Sequence, residues 1–162
     1  MTKILYIIFL WTAPTVLYGQ EKFTYKHFSD STFKVGDKII APTVNYSLSG
    51  GMTILDESKD SVNVIATFLT KHSTFKIEIG GHTDSRGKAE SNIKVTEYKT
   101  QRIKDYLTSI KNIAPERIKT MGYGKSALLI SDKIIYSTKT LEEAEKLHSV
   151  NRRTEIKILS TD

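Results

Sequence analysis

Phe75, Ile77 and Ile79 alternate with Lys76 and Glu78, the two-residue period of a half-buried strand. Upstream, Val62, Ile65, Ala66 and Leu69 recur at helical spacing between Ser58 and Lys71, and Asp56 or Ser58 can cap that helix. Downstream, a second helix is predicted from about Ser91 to Ile110, with Val95, Ile103, Tyr106, Leu107 and Ile110 as its apolar stripe and Asn112 to Pro115 as its end. Ile118, Thr120 and Gly122 share one face of a third strand that runs into the loop Gly122-Tyr123-Gly124-Lys125-Ser126. Thr140-Leu141-Glu142-Glu143 has the hydroxyl and glutamate spacing of a capping box and opens a third helix reaching Ser149 or Val150. Ile156 and Ile158 alternate with Glu155 and Lys157 in a last strand. Asp37 to Val44 reads as a first strand that Pro42 directs to an edge or bulge, and Gly50-Gly51 as a turn. Leu128 to Thr138 has no clear period. The regular alternation of strands and helices predicts an α+β, two-layer α/β sandwich, with helices on one face of a single sheet.

The first residues break this pattern. Lys3 precedes the apolar run Ile4 to Trp11, Ala13 to Tyr18 are mostly apolar, and Gly19 stands before polar Gln20-Glu21-Lys22. That is the layout of a secretory signal over residues 1–19, cleaved or retained as an anchor, although Leu17 sits where a small residue is usual. Residues 20–36 form a polar lead or linker with scattered aromatics, and a domain is expected over 37–160. The chain has 162 residues, enough for one domain with a substantial core. It has no cysteine, which excludes disulfides, thiolate metal sites, thiol nucleophiles and a lipid-bearing N-terminal cysteine. The formal charge is +6, of which Lys3 supplies one, leaving +5 from Gln20 onward. A basic surface suits an anionic partner; export argues against nucleic acid, and the charges are scattered rather than clustered.

Lys99 is the residue out of place. It lies on the second helix four residues after Val95 and four before Ile103, so the stripe carries a cation that must snorkel or pair with an anion. Asp84, in the turn Asp84-Ser85-Arg86-Gly87 before that helix, is the anion placed to lie nearby, though Asp also serves turns of this kind in its own right. A carboxylate at a strand end and a cation on the next helix can hold a ligand bearing both charges. The four histidines show no metal spacing, so no metal or cofactor is expected. His82 reads as a strand-end histidine. Ser85 beside His82 and Asp84 is not a triad, and Gly122-Tyr123-Gly124-Lys125-Ser126 lacks the glycine spacing of a phosphate loop.

Three separated segments recur here in the order of a known family. They are Gly81-His82-Thr83-Asp84, then Asn92 to Thr100, then Asn151-Arg152-Arg153-Thr154-Glu155-Ile156, with Gly122-Tyr123-Gly124 a weaker fourth. Over roughly Asp37 to Leu159 the chain resembles the OmpA-like peptidoglycan-binding domain. The resemblance implies a mixed sheet of βαβαβ type with helices on one side. It also implies non-covalent binding of peptidoglycan through the diaminopimelate of its peptide stem, at the periplasm or outer membrane of a Gram-negative-type bacterium. By that resemblance Asp84 accepts the ligand ammonium, Thr83 shapes the pocket, Asn92 orients the loop and helix start, Lys99 pairs with the ligand carboxylate, and Arg153 supports the acidic side. The family usually has arginine at the position of Lys99, and the lysine loses the bidentate fork; Arg102, three residues on, is a candidate to compensate.

Two other readings compete with wall binding. One is a module of the same fold that docks another envelope protein, which the lysine favours. The other is a wall hydrolase, for which no catalytic constellation is present.

Overall fold

The computed structural model describes residues 24–47 and 52–162. The signal-like residues 1–19 and the turn expected at Gly50-Gly51 lie outside the described residues. The strands are β1 (Tyr25–Lys26), β2 (Lys38–Ile40), β3 (Lys76–His82), β4 (Ile118–Gly124) and β5 (Thr154–Ser160). The helices are α1 (Lys59–Lys71), α2 (Ala89–Ser109), α3 (Asp132–Ile135) and α4 (Leu141–Asn151). The strands form one sheet in the order β1-β2-β5-β3-β4. β1 runs parallel to β2 and β3 parallel to β4, while β5 is antiparallel to both of its neighbours, so the sheet is mixed.

The alternation read from the sequence decides which face is buried. Ile77 and Ile79 of β3, Ile156 and Ile158 of β5, Ile39 of β2 and Ile118 of β4 meet Val62, Ile65 and Leu69 of α1 and Ile103 and Leu107 of α2 in one core. Each such side chain contributes roughly 1.5–3 kcal/mol by leaving water. The lead before β2 is tied to this core: β1 pairs with β2, and Phe28 and Phe33 meet Phe68 edge-on at 5.4 and 5.1 Å. Arg117 closes the far end of the domain, donating to the carbonyls of Leu69 and His72 at the end of α1 and of Phe75 before β3.

The N-terminal half of α2 departs from the expected apolar stripe. Its buried residues are Thr96, Thr100, Ile103 and Leu107, while Ile110 is 61% exposed. The cause is glycine on the facing strands. A Cβ on Gly81 would stand 2.9 Å from Cβ of Thr96 and from Cγ2 of Thr100, and one on Gly122 only 2.5 Å from Cγ of Glu97 and 2.7 Å from the carbonyl oxygen of Ile93. The helix therefore lies directly on the backbone at the ends of β3 and β4, and small threonines fit where larger apolar side chains would not. Thr96 Oγ1 also accepts the N–H of Gly124 at 3.2 Å, tying helix to strand end.

The opposite face of the sheet is polar but partly enclosed. Glu155 is buried there among Arg153, Lys38 at 3.0 Å, the Tyr25 hydroxyl at 2.5 Å and His82 Nε2 at 3.6 Å. His82 stacks on Tyr123 at 4.9 Å with the rings 4° from parallel, and Tyr123 donates to Glu78 at 2.6 Å. The least readable segment forms α3 and its flanks. It is pinned by the fully buried Asn151, whose side chain accepts the N–H groups of Leu129 and Ile130 and donates to the carbonyl of Ile130. The capping box at Thr140 and Glu143 forms as read.

Candidate ligand-binding site

The turn after β3 is built around Asp84. Thr83 donates its backbone N–H to Gly124 and its hydroxyl to the carbonyl of Asp84, which anchors the strand end. Asp84 Oδ1 accepts the N–H of Arg86 at 3.1 Å, the closed turn that Asp favours. Gly87 follows at φ +82°, a conformation that a side chain resists. The amide of Asn92, in the first turn of α2, donates to the Arg86 carbonyl at 2.8 Å, and Lys125 Nζ reaches the carbonyls of Ser85 and Gly87. The loop is thus clamped from α2 and from the loop after β4.

Asp84 is only 6% exposed and carries two guanidinium groups on one oxygen. Arg86 reaches Oδ2 at 2.6 Å and Arg152 reaches the same atom at 2.7 Å. Both arginines also bind Glu145 of α4, Arg86 on Oε2 at 3.0 Å and Arg152 on Oε1 at 2.7 Å. Asp84, Arg86, Glu145 and Arg152 therefore form a closed ring of alternating charge. Burial alone would raise the Asp84 pKa, but the hydrogen bonds from Arg86 and Arg152 outweigh it and hold the carboxyl well below the usual range. Asp84 is therefore ionised at neutral pH.

Lys99 lies on α2 with its ammonium 5.3 Å from the centre of the Tyr46 ring, a cation–π distance, and its carbonyl accepts the Tyr46 hydroxyl. Among the described residues no carboxylate pairs with it. Burial lowers its pKa, and the charge of Arg152 lowers it further. Lys99 and Arg152 are thus cations close enough to repel each other.

Asp84, Thr83 and Asn92 gather around one turn and the start of α2, while Lys99 lies further along α2 against Tyr46. Arg153 is directed elsewhere: it binds Glu155 on the polar face of the sheet and the carbonyls of Asn151 and Ala127, and Arg152 takes the place beside Asp84 that was expected of it. Strand alternation explains this, because Arg153 and Glu155 are two residues apart and share a face. Arg102 is also directed away, to the ring and hydroxyl of Tyr98 and to Asp105. The sequence reading missed Arg86, Arg152 and Glu145. The spacing of seven between Glu145 and Arg152, two helical turns, was the available signal.

The OmpA family model matches residues 48–145, and the chain belongs to that family. The "Peptidoglycan-associated lipoprotein" of Buchnera aphidicola is 33% identical over 107 residues, covering 62% of this chain and 58% of that protein. The chain spans about half the length of the peptidoglycan-associated lipoproteins it matches, 58% and 53% in two of them. Among solved structures, the cell wall anchor of the T6SS from Pseudomonas aeruginosa aligns with a TM-score of 0.54 at 22% identity, covering 72% of this chain and 75% of that one. The peptidoglycan-associated lipoprotein from Burkholderia pseudomallei aligns with a TM-score of 0.52 at 18% identity, covering 71% and 87%. At these identities the structures show a shared fold.

Proposed function

We propose that this protein is an exported, non-catalytic domain of the cell envelope that binds peptidoglycan through the diaminopimelate of its peptide stem. The observation that carries the reading is a buried, ionised Asp84 paired with Arg152, with Lys99 close enough to Arg152 to feel its charge and without a carboxylate partner among the described residues. The free end of diaminopimelate carries an ammonium and a carboxylate. The ammonium would meet Asp84, and the carboxylate would meet Lys99 and Arg152. The names of the matched relatives, peptidoglycan-associated lipoproteins, support the wall as the source of that ligand. Thr83 and Asn92 act by fixing the turn. The binding domain is built on 37–160 with β1 and the aromatics of the preceding lead packed onto it, and residues 1–19 are the export signal.

The test is co-sedimentation of the chain from Gln20 with purified diaminopimelate-type sacculi, beside Asp84→Ala. Retention by the parent and its loss in the variant is the expected result. A parent chain that stays in the supernatant points instead to docking on another envelope protein, the reading that the saturation of Asp84 by arginine favours.

A further inference from the structure

The next inference rests on the diaminopimelate reading and concerns how that site is kept when empty. Asp84 has no place for an ammonium on Oδ2 as it stands. That oxygen already holds Arg86 and Arg152, and Oδ1 holds the N–H of Arg86. An ammonium seated on Oδ2 displaces one guanidinium. Arg86 is the freer of the two: its side chain is 50% exposed against 40% for Arg152, and its Nη1 already rests on Glu145 at 3.0 Å. Letting go of Asp84 leaves it on a second carboxylate rather than unpaired in solvent. A ligand ammonium in the vacated place leaves the cluster one positive charge richer, which a carboxylate on the same ligand balances.

We propose that Arg86 is a built-in occupant of the ammonium position, that Glu145 is the carboxylate to which it retreats, and that this exchange restricts the site to ligands bearing ammonium and carboxylate together. A bare amine gains only the contact that Arg86 gives up. A ligand with an adjacent carboxylate also offsets the repulsion between Lys99 and Arg152, and this second gain drives the exchange. Self-occupancy lowers the apparent affinity by the fraction of molecules whose Asp84 is free. It thereby filters amines from the zwitterionic stem.

Isothermal titration of the purified protein with meso-diaminopimelate and with cadaverine, which keeps both amines and lacks both carboxylates, tests this. The parent is expected to bind diaminopimelate and give no heat with cadaverine. Arg86→Ala is expected to bind diaminopimelate about fivefold tighter and to acquire cadaverine binding, since its ammonium place is permanently open. Glu145→Gln is expected to bind diaminopimelate about fivefold more weakly, and that loss is expected to vanish in the double variant, where there is no arginine to receive. Both substituted side chains are half-exposed, so folding is retained. Arg86→Ala binding diaminopimelate no tighter than the parent, or a parent that takes cadaverine as well as diaminopimelate, overturns the exchange while leaving wall binding intact. A parent that does not bind beside an Arg86→Ala that does upholds self-occupancy and overturns the function read for the parent. No binding by any variant overturns both.

Discussion

Arg152 donates to Oδ2 of Asp84 across 2.7 Å although 68 residues separate them in the chain. Its neighbour Arg153 faces the other way, onto buried Glu155. The adjacent arginines therefore have separable roles. Arg152→Ala removes a 40% exposed side chain from buried Asp84, which keeps Arg86, so stability is expected to fall by only about 1–2 kcal/mol while sacculus retention falls sharply. Arg153→Ala strips a buried carboxylate of its nearest cation and is expected to cost about 3 kcal/mol in urea unfolding, since a buried charge left short of partners is strongly destabilising. Equal effects of the two changes on retention at matched stability would contradict this division.

The strands and the larger helices were legible because their apolar periods match the geometry of the elements, as with Ile77 and Ile79 or Val62 and Leu69. What was not legible depended on contacts between segments distant in sequence. Thr96 and Thr100 carry no apolar signal, and only the glycines opposite them show that α2 must sit on bare backbone there. The segment before Asn151 follows no period because one buried amide side chain, rather than a repeating apolar face, organises it. Asp84 and Lys99 stood out as a carboxylate in a turn and a cation on an apolar stripe. Arg86 and Glu145 did not, because an exposed arginine in a turn and an exposed glutamate on a helix have ordinary surface chemistry until the fold brings them together.

Stability is expected to fall in acid through Asp84 and Glu155. Burial opposes the ionised form of each, but the donors and cations around them prevail: Arg86 and Arg152 bond Asp84, and Glu155 has the His82 ring at 3.6 Å and bonds from Arg153 and the Tyr25 hydroxyl. Both folded pKa values lie below those of the unfolded chain, so the unfolded state binds more protons as pH drops. Their contribution is complete above about pH 5, begins to be lost as pH falls through the ordinary carboxylate range, and goes on falling toward the depressed folded values. His82 adds to the same trend. Burial holds its ring neutral, with Glu155 opposing that shift, so protonation of the unfolded chain begins to erode stability below about pH 6.5. Urea midpoints measured from pH 7 to pH 3 are expected to decline for the parent and to decline less steeply for Asp84→Asn. A parent curve flat over that range would contradict the depressed carboxylates.

Gly122 is expected to admit no side chain. An added Cβ meets the backbone N–H nitrogen of Glu97 and the carbonyl oxygen of Ile93, both at 2.7 Å, and backbone cannot rotate out of the way. Gly122→Ala should push α2 off β4 at a cost of roughly 1–3 kcal/mol, the range for overpacking a tight contact. Because α2 carries Lys99 and Asn92, retention on sacculi should fall with it. Gly36→Ala is the contrasting case: no atom lies within 4 Å of the added Cβ and only the φ of +93° is strained, so a smaller loss in melting temperature and no loss of retention are expected.

Lys99 stands where the resemblance read from the sequence implies an arginine, and its surroundings suit either cation. The ammonium lies 5.3 Å from the centre of the Tyr46 ring, and a guanidinium can stack on that ring while presenting a planar fork to a carboxylate. Lysine offers a point charge instead, and burial together with the charge of Arg152 makes that charge harder to hold. Lys99→Arg is therefore expected to tighten binding to diaminopimelate-type sacculi by about fivefold, the equivalent of one charge-assisted hydrogen bond of about 1 kcal/mol. Lys99→Met keeps the apolar stem against Tyr46 and removes the charge, so retention should fall while the unfolding midpoint holds or rises, because the repulsion with Arg152 is gone. Binding curves that coincide for the parent, the arginine variant and the methionine variant would place the ligand carboxylate on Arg152 alone and leave Lys99 as a cation seated on Tyr46.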